Sequence, residues 1–272
     1  MTALDLPLIV EASELASQLG QDNLLVVDLC QESTYNQYHI PGAVHVEYGQ
    51  IITANPPVHG LIPEVADLER LFSAIGISDD THVVAYDDEG GGKASRLLWT
   101  LEIMGHKQMS ILNGGLYAWA NNGHQLDSGA VEAKPATFTS HYSEEPIAEA
   151  DYILQKLDSD DVVLIDARSR DEYMGRQMRP GRVGHIPGAK HWDWQDIMDP
   201  LNNQCFKPRG ELEQALAERG ITPDKQVITY CQTNHRSSLT YIALKSLGYT
   251  QLKSYPGSWS DWGNREDTPV EK

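Results

Sequence analysis

The sequence predicts an α/β protein of two similar domains, each a mainly parallel sheet flanked by helices. Three observations carry this. Short apolar strands alternate with amphipathic segments such as residues 64–75 and 210–219, the pattern of a sheet covered by helices. The pentapeptide HIPGA occurs twice, at residues 39–43 and 185–189, each time after an apolar strand that ends in aspartate. At 272 residues the chain also fits two domains of roughly 120 to 140 residues, each large enough for its own core.

The elements follow in order. PLIVEASELASQL, from Pro7, leads to the strand LLVVD ending at Asp28; Tyr35, HIPGA and His45 come next. The helix of residues 64–75 precedes the strand HVVAY, ending at Tyr86, and the loop DDEGGGKAS, and the half closes with Gly114 and Trp119 at a G-x-x-x-x-W spacing. The second half repeats this in the same order: PIAEADYILQKL from Pro146, VVLID to Asp166, Tyr173, HIPGA, His191, QVITY to Tyr230, and Gly257 to Trp262. Ordered matches over most of both halves mean duplication. The halves differ chiefly between Asp166 and His185, a span of 19 residues against 11 from Asp28 to His39, where an insertion rich in Arg and Gly reads as a loop. Residues 127–146 hold Gly, Ser, Pro, Lys and Glu with little apolar periodicity and read as a linker. The expected organisation is an N-terminal domain over residues 1–127, a linker over 128–145 and a C-terminal domain over 146–272.

A net charge of −18 and a pI near 4.8 argue against nucleic acid and anionic membrane surfaces, which the mean field repels. No stretch approaches the ~20 apolar residues that span a bilayer, and the first residues, MTALDLPLIV, lack the basic and apolar regions of a leader. The three cysteines, Cys30, Cys205 and Cys231, show no CxxC spacing, which suits a reducing compartment and argues against structural zinc. A soluble cytoplasmic protein is expected, with no metal and no cofactor. The GGGK run lacks the spacing of a phosphate-binding loop, and the acidic run Asp87, Asp88 and Glu89 opposes that reading. His39, His45, His185 and His191 have no supporting ligand spacing; they read as turn residues that satisfy backbone groups. Cys30 and Cys205, without counterparts in the opposite half, read as structural, as do Asp28, Asp166, Trp119 and Trp262, which recur in both.

Cys231 is the candidate for chemistry. It follows the strand QVITY directly, and after Arg236 the residues Leu239, Ile242, Ala243, Leu244 and Leu247 recur at helical spacing, so the chain turns around the cysteine into a helix. A loop closing on a helix N-terminus gathers unpaired N–H groups and the positive end of the helix dipole, which stabilise an anion. A thiolate is such an anion, and a loop of this kind brings a thiol from about 8.5 to about 7 or below. The competing reading is a buried structural cysteine at a strand end. In the first half, Asp87 stands at the corresponding position, so that half is expected to be catalytically silent.

Together, the two HIPGA segments, the strand, Cys231, loop and helix, the degenerate position at Asp87 and the Gly257 to Trp262 ending resemble the rhodanese family of sulfurtransferases in its two-domain form. The resemblance covers nearly the whole chain. It implies two similarly folded α/β domains and a thiosulfate sulfurtransferase in which Cys231 carries sulfane sulfur as a persulfide, passed to cyanide, a thiol or a protein acceptor. It also implies that Gln232, Thr233, Asn234, His235, Arg236 and Ser237 form the substrate-binding loop. Four residues separate Cys231 from Arg236, against five in related dual-specificity phosphatases, which suits sulfur rather than phosphate. Mercaptopyruvate sulfurtransferases usually carry a small loop ending in Thr; QTNHR is bulkier and ends in a cation, which favours thiosulfate. 3-Mercaptopyruvate as donor, and a relay or anion-binding module without turnover, remain the alternatives. Family members place a donor-binding arginine six residues after the strand aspartate, and vertebrate-type thiosulfate enzymes a basic residue two positions after the cysteine; here these are Glu172 and Thr233. Arg170, Arg176, Arg179 and Arg182 are left as substitutes, with Arg176, Arg182 and Trp194 expected near the donor.

Overall fold

The computed structural model describes residues 4–177 and 181–272. In chain order the first half holds β1 (Ile9–Val10), α1 (Ala12–Gln18), β2 (Leu24–Asp28), α2 (Glu32–Gln37), β3 (Val44–His45) and the hairpin β4 (Thr53–Asn55) and β5 (Val58–Leu61). It continues with α3 (Val65–Ile75), β6 (His82–Tyr86), α4 (Gly92–Ile103), β7 (Met109–Leu112) and α5 (Gly115–Asn121). The second half runs α6 (Ala150–Lys156), β8 (Val162–Asp166), α7 (Arg170–Tyr173), β9 (Lys190–His191), β10 (Met198–Asp199) and β11 (Cys205–Phe206). It ends with α8 (Arg209–Ala217), β12 (Gln226–Tyr230), α9 (Arg236–Ser246), β13 (Leu252–Ser254) and α10 (Ser258–Trp262).

Both main sheets are parallel, in the order β1-β7-β6-β2-β3 and β13-β12-β8-β9. The second sheet has a single parallel bridge, Ile147 to Ser254, where the first has the two-residue strand β1. Helices on both faces explain why the central strands are apolar without alternation. Among the described residues no helix is long and apolar enough to cross a membrane.

The duplicated motifs hold the same joints in both halves. Asp28 is in register with Tyr86, and Asp166 with Tyr230. The Tyr86 hydroxyl donates to Asp28 and accepts the Ile40 N–H at 3.0 Å, while the Tyr230 hydroxyl accepts the Ile186 N–H at 3.2 Å. HIPGA is thus pinned to the strand that precedes each loop. Its histidine bonds through Nδ1 to a backbone carbonyl, Tyr35 in one half at 2.8 Å and Tyr173 in the other at 2.9 Å. His45 and His191 likewise reach the carbonyls of Cys30 and Arg168. Trp119 and Trp262 sit in the two cores, each donating its indole N–H to a carbonyl just after its helix, Gln125 and Pro269, at 2.7 Å.

The compact units are not the halves of the sequence. The first ends at Ile51, resumes over Pro63–Ser143 and adds Asp199–Phe206; the second takes Ile52–Ile62, Glu144–Met198 and Lys207–Lys272. Each unit therefore contains a hairpin segment from the opposite half. Residues 128–143, expected as linker, pack as an arm of the first unit: the Phe138 ring meets Phe72 edge-on at 5.2 Å, the Ser140 hydroxyl donates to Glu69 at 2.6 Å, and the Ser143 N–H bonds the Ile103 carbonyl at 2.8 Å.

Candidate active site

The strand β12 lies between β8 and β13, and its apolar residues are buried. Cys231 follows at the carboxyl edge of the sheet, where parallel α/β folds place their ligands, and α9 begins at Arg236. Between them Asn234 takes a left-handed backbone, φ 53°, which Asn tolerates better than most residues. Its Oδ1 accepts the hydroxyls of Ser237 at 2.8 Å and Ser254 at 2.6 Å, and its carbonyl accepts the Ser238 hydroxyl at 2.7 Å. The turn is thereby tied to both α9 and β13.

Its outer side is held by α10. The N–H groups of Trp259 and Ser260 donate to the carbonyls of Cys231 and Gln232, each at 3.0 Å. Ser258 Oγ accepts the N–H of Cys231 at 3.2 Å and of Asn234 at 3.1 Å, and donates to the Tyr255 carbonyl at 2.8 Å. With the Gln232 carbonyl turned outward to Ser260, the N–H of the same peptide, that of Thr233, turns inward to the sulfur. Cys231 is fully buried, and burial alone pushes its thiol up. The Arg236 charge, the hydroxyl and N–H of Ser237 and the Thr233 N–H pull it down, to about 7. About half the population is then thiolate at neutral pH.

Arg236 is held in turn by Glu172 in a two-point pair, Nη1 to Oε2 at 2.7 Å and Nη2 to Oε1 at 3.0 Å. Glu172 sits in α7, in a reciprocal cap with Ser169. Burial raises its pKa, but the Arg236 pair and the Ser169 contacts outweigh that and bring it to about 2. The residue that stands where a donor-binding arginine was expected is thus the counter-charge of the loop cation.

Other expected residues separate. Trp194 approaches the loop, its ring 6.0 Å from that of His235. Arg182 donates to the carbonyls of Gly263 at 3.3 Å and Trp262 at 2.7 Å, and also to Arg265 and Thr268. Its guanidinium is spent on the chain that follows α10. Arg176 is largely exposed, 3.7 Å from Asp171. Arg170 borders another groove beside Lys190 and Arg219, and Arg179 lies outside the described residues. Sequence reasoning missed Arg168. Buried, it grips Asp166 through Nη2 at 2.6 Å, donates to the Gly184 carbonyl at 2.7 Å and lies 4.4 Å from the centre of the Trp259 ring. With Glu172, Arg182, Gln232 and Trp259 it lines a small cleft beside the loop. Ser258 was missed too, although a signal existed: its counterpart after Gly114 is Gly115, so a serine fills a left-handed position, φ 49°, that its twin gives to glycine.

The burial of the remaining cysteines accords with inert thiols. Burial, then the nearby Asp28 charge, pushes Cys30 far up, and burial raises Cys205 as well.

The model of the rhodanese-like domain matches residues 11–122 and 149–265. The chain belongs to the rhodanese family. It is 44% identical over 269 residues to a thiosulfate sulfurtransferase of Pseudomonas aeruginosa, covering 98% of each chain. It is 42% identical to a thiosulfate sulfurtransferase of Azotobacter vinelandii, over 98% of this chain and 97% of that one. Among solved structures, a 3-mercaptopyruvate sulfotransferase of Escherichia coli superposes with a TM-score of 0.81 at 27% identity, over 94% of this chain and all of that one. Sulfurtransferase activity is the class these relatives share.

Proposed function

We propose that the protein moves sulfane sulfur from thiosulfate to cyanide, or to another thiophilic acceptor such as a thiol or a protein, through a persulfide on Cys231. The observation that carries this is a buried cysteine whose thiolate is held by N–H donors and Arg236, with its pKa at about 7. The thiolate attacks the outer sulfur of thiosulfate; an S–S bond forms as the donor's S–S bond breaks, and sulfite leaves with the electron pair. Cyanide then attacks the outer sulfur of the persulfide, thiocyanate departs, and the thiolate is restored. No proton is transferred in either step, so no histidine relay is required. The same donors that hold the thiolate hold the persulfide anion. The donor approaches through the cleft beside Gln232, and the loop is Gln232, Thr233, Asn234, His235, Arg236 and Ser237.

Thiosulfate is favoured by the cation that ends the loop and by the two relatives that bear that name; 3-mercaptopyruvate is the second reading, favoured by the structural likeness. The first half, with Asp87 at the cysteine position, is the silent partner. The free, buried cysteines fit a reducing compartment, and we place the protein in the cytoplasm.

Mass spectrometry of protein treated with thiosulfate tests this: a species heavier by one sulfur atom, about 32 Da, mapped to Cys231 and lost on adding cyanide. Faster loading from 3-mercaptopyruvate than from thiosulfate would exchange the donor. A persulfide that passes once to a protein and never turns over cyanide would make the chain a relay.

A further inference from the structure

The hairpin β4–β5 belongs by packing to the second unit although it lies in the first half of the sequence. Two of its residues meet the cysteine loop. Gly60 has φ +76°, and a Cβ built on it would lie 2.0 Å from the Thr233 carbonyl oxygen and 2.7 Å from the Thr233 carbonyl carbon, inside van der Waals contact. Before it, the His59 N–H donates to Ser260 Oγ at 3.0 Å. The N–H of the same Ser260 holds the Gln232 carbonyl at 3.0 Å.

Peptide planarity turns these contacts into a statement about the sulfur. In a trans peptide the C=O and the following N–H point in opposite directions. The peptide between Gln232 and Thr233 has its carbonyl on Ser260, so its N–H is aimed at Cys231, to which it bonds. The next peptide has the Thr233 carbonyl against Gly60 and its N–H, that of Asn234, on Ser258 Oγ at 3.1 Å. The hairpin therefore abuts one of the two planes that set the Thr233 amide directly, at Gly60, and reaches the other through the bond from His59 to Ser260.

We propose that the hairpin β4–β5 is a brace for the Cys231 loop and that Gly60 is a positioning residue, kept without a side chain so that the Thr233 amide stays on the sulfur. The inference rests on the reading of Cys231 as the sulfur carrier, and thiol titration tests it separately from sulfur transfer. The comparison is between Gly60→Ala and Gly188→Ala in the full chain. Gly188 has nearly the same backbone, φ +75°, but open space where its Cβ would go, so it carries the backbone strain without the collision.

Thiolate absorbance near 240 nm should show the midpoint of Gly60→Ala moved up by about one pH unit, cutting the thiolate fraction at pH 7 about fivefold. The rate of persulfide formation from thiosulfate at pH 7 should fall at least as far and recover at pH 9, whereas Gly188→Ala should match wild type in both. If the two variants titrate alike, or if Gly60→Ala loses the same factor at pH 9 as at pH 7, the brace is wrong. Should Gly60→Ala not fold, Ser260→Ala decides: a raised thiol midpoint supports the brace, and an unchanged one overturns it. A wild-type protein that titrates near 7 yet never gains sulfur would sink the functional reading and leave the brace standing.

Discussion

The loops at Asp87 and Cys231 occupy equivalent places after equivalent strands, and each encloses an acidic side chain. In the first, the Asp87 carboxylate accepts the N–H groups of Gly91 at 2.8 Å and of Glu89 and Ala94 at 3.0 Å. In the second, the Cys231 sulfur takes the N–H groups of Thr233 and Ser237 and the Ser237 hydroxyl. Both helices behind the loops anchor alike: Leu116 N–H bonds the Asp87 carbonyl at 3.0 Å as Trp259 N–H bonds that of Cys231. The fold thus supplies a cradle for negative charge wherever this strand meets this helix. In one half it is filled by a carboxyl group whose pKa burial raises, and in the other by a thiol brought down to about 7. The surroundings differ to match, with Lys93 set against Asp88 and Glu89 in one loop and Arg236 against Glu172 in the other.

The largest effect should come from Cys231→Ser, which keeps the shape and removes the nucleophile. Cyanide-dependent thiocyanate formation should fall by about a hundredfold or more, and retention of a tenth of the rate would return Cys231 to a structural role. Arg236→Ala should come next. It removes the loop cation and strands a buried carboxylate, so the thiol midpoint should climb from about 7 towards the ordinary value and unfolding should cost about 3 kcal/mol less. Denaturant melts and the 240 nm titration read the two separately, and an unmoved midpoint would mean that the loop amides carry the site alone.

Glu172→Gln is milder. Its carboxyl is held at about 2 in the fold against 4.5 ordinarily, so its pair with Arg236 stabilises the protein above about pH 4.5 and fades as the pH falls towards 2. The glutamine variant should lose that acid-side slope. With Arg236 less neutralised, KM for thiosulfate should drop about threefold; a rise instead would show that Glu172 serves chiefly to orient the guanidinium. Asp87→Asn should cost about 1 to 3 kcal/mol of stability by weakening a filled cradle, with sulfur transfer intact; lost transfer would end the description of the first loop as silent. The smallest effects belong to Cys30→Ser and Cys205→Ser, which should retain the wild-type rate.

Much of this was legible from the repeat. HIPGA, the strand-end aspartates and the paired tyrosines lie close in sequence or recur at fixed order, so duplication displayed the fold, and the one place where the twin strands lead to different chemistry displayed Cys231. The pairing of Glu172 with Arg236 was not legible, because the two stand 64 residues apart and no local pattern records which charges meet. Arg168 was hidden for a related reason: it replaces Cys30 of the first half two residues after the strand aspartate, and both backbones simply cap that carboxylate, at 3.0 and 2.6 Å. The hairpin β4–β5 escaped notice because its strands of three and four residues, the first exposed and the second mixed, joined through Pro56 and Pro57, are too short to show an alternation to read.

The traded hairpins bear on how such a gene can change. A cut between Ser143 and Glu144 would yield two polypeptides, each missing a segment its own unit contains: Asp199–Phe206 for the first product and Ile52–Ile62 for the second. Deleting the first half would therefore also strip the unit that holds Cys231 of its Ile52–Ile62 segment. Fission or trimming of this chain is penalised by its architecture, because each half of the sequence holds a piece that the other half's unit cannot shed.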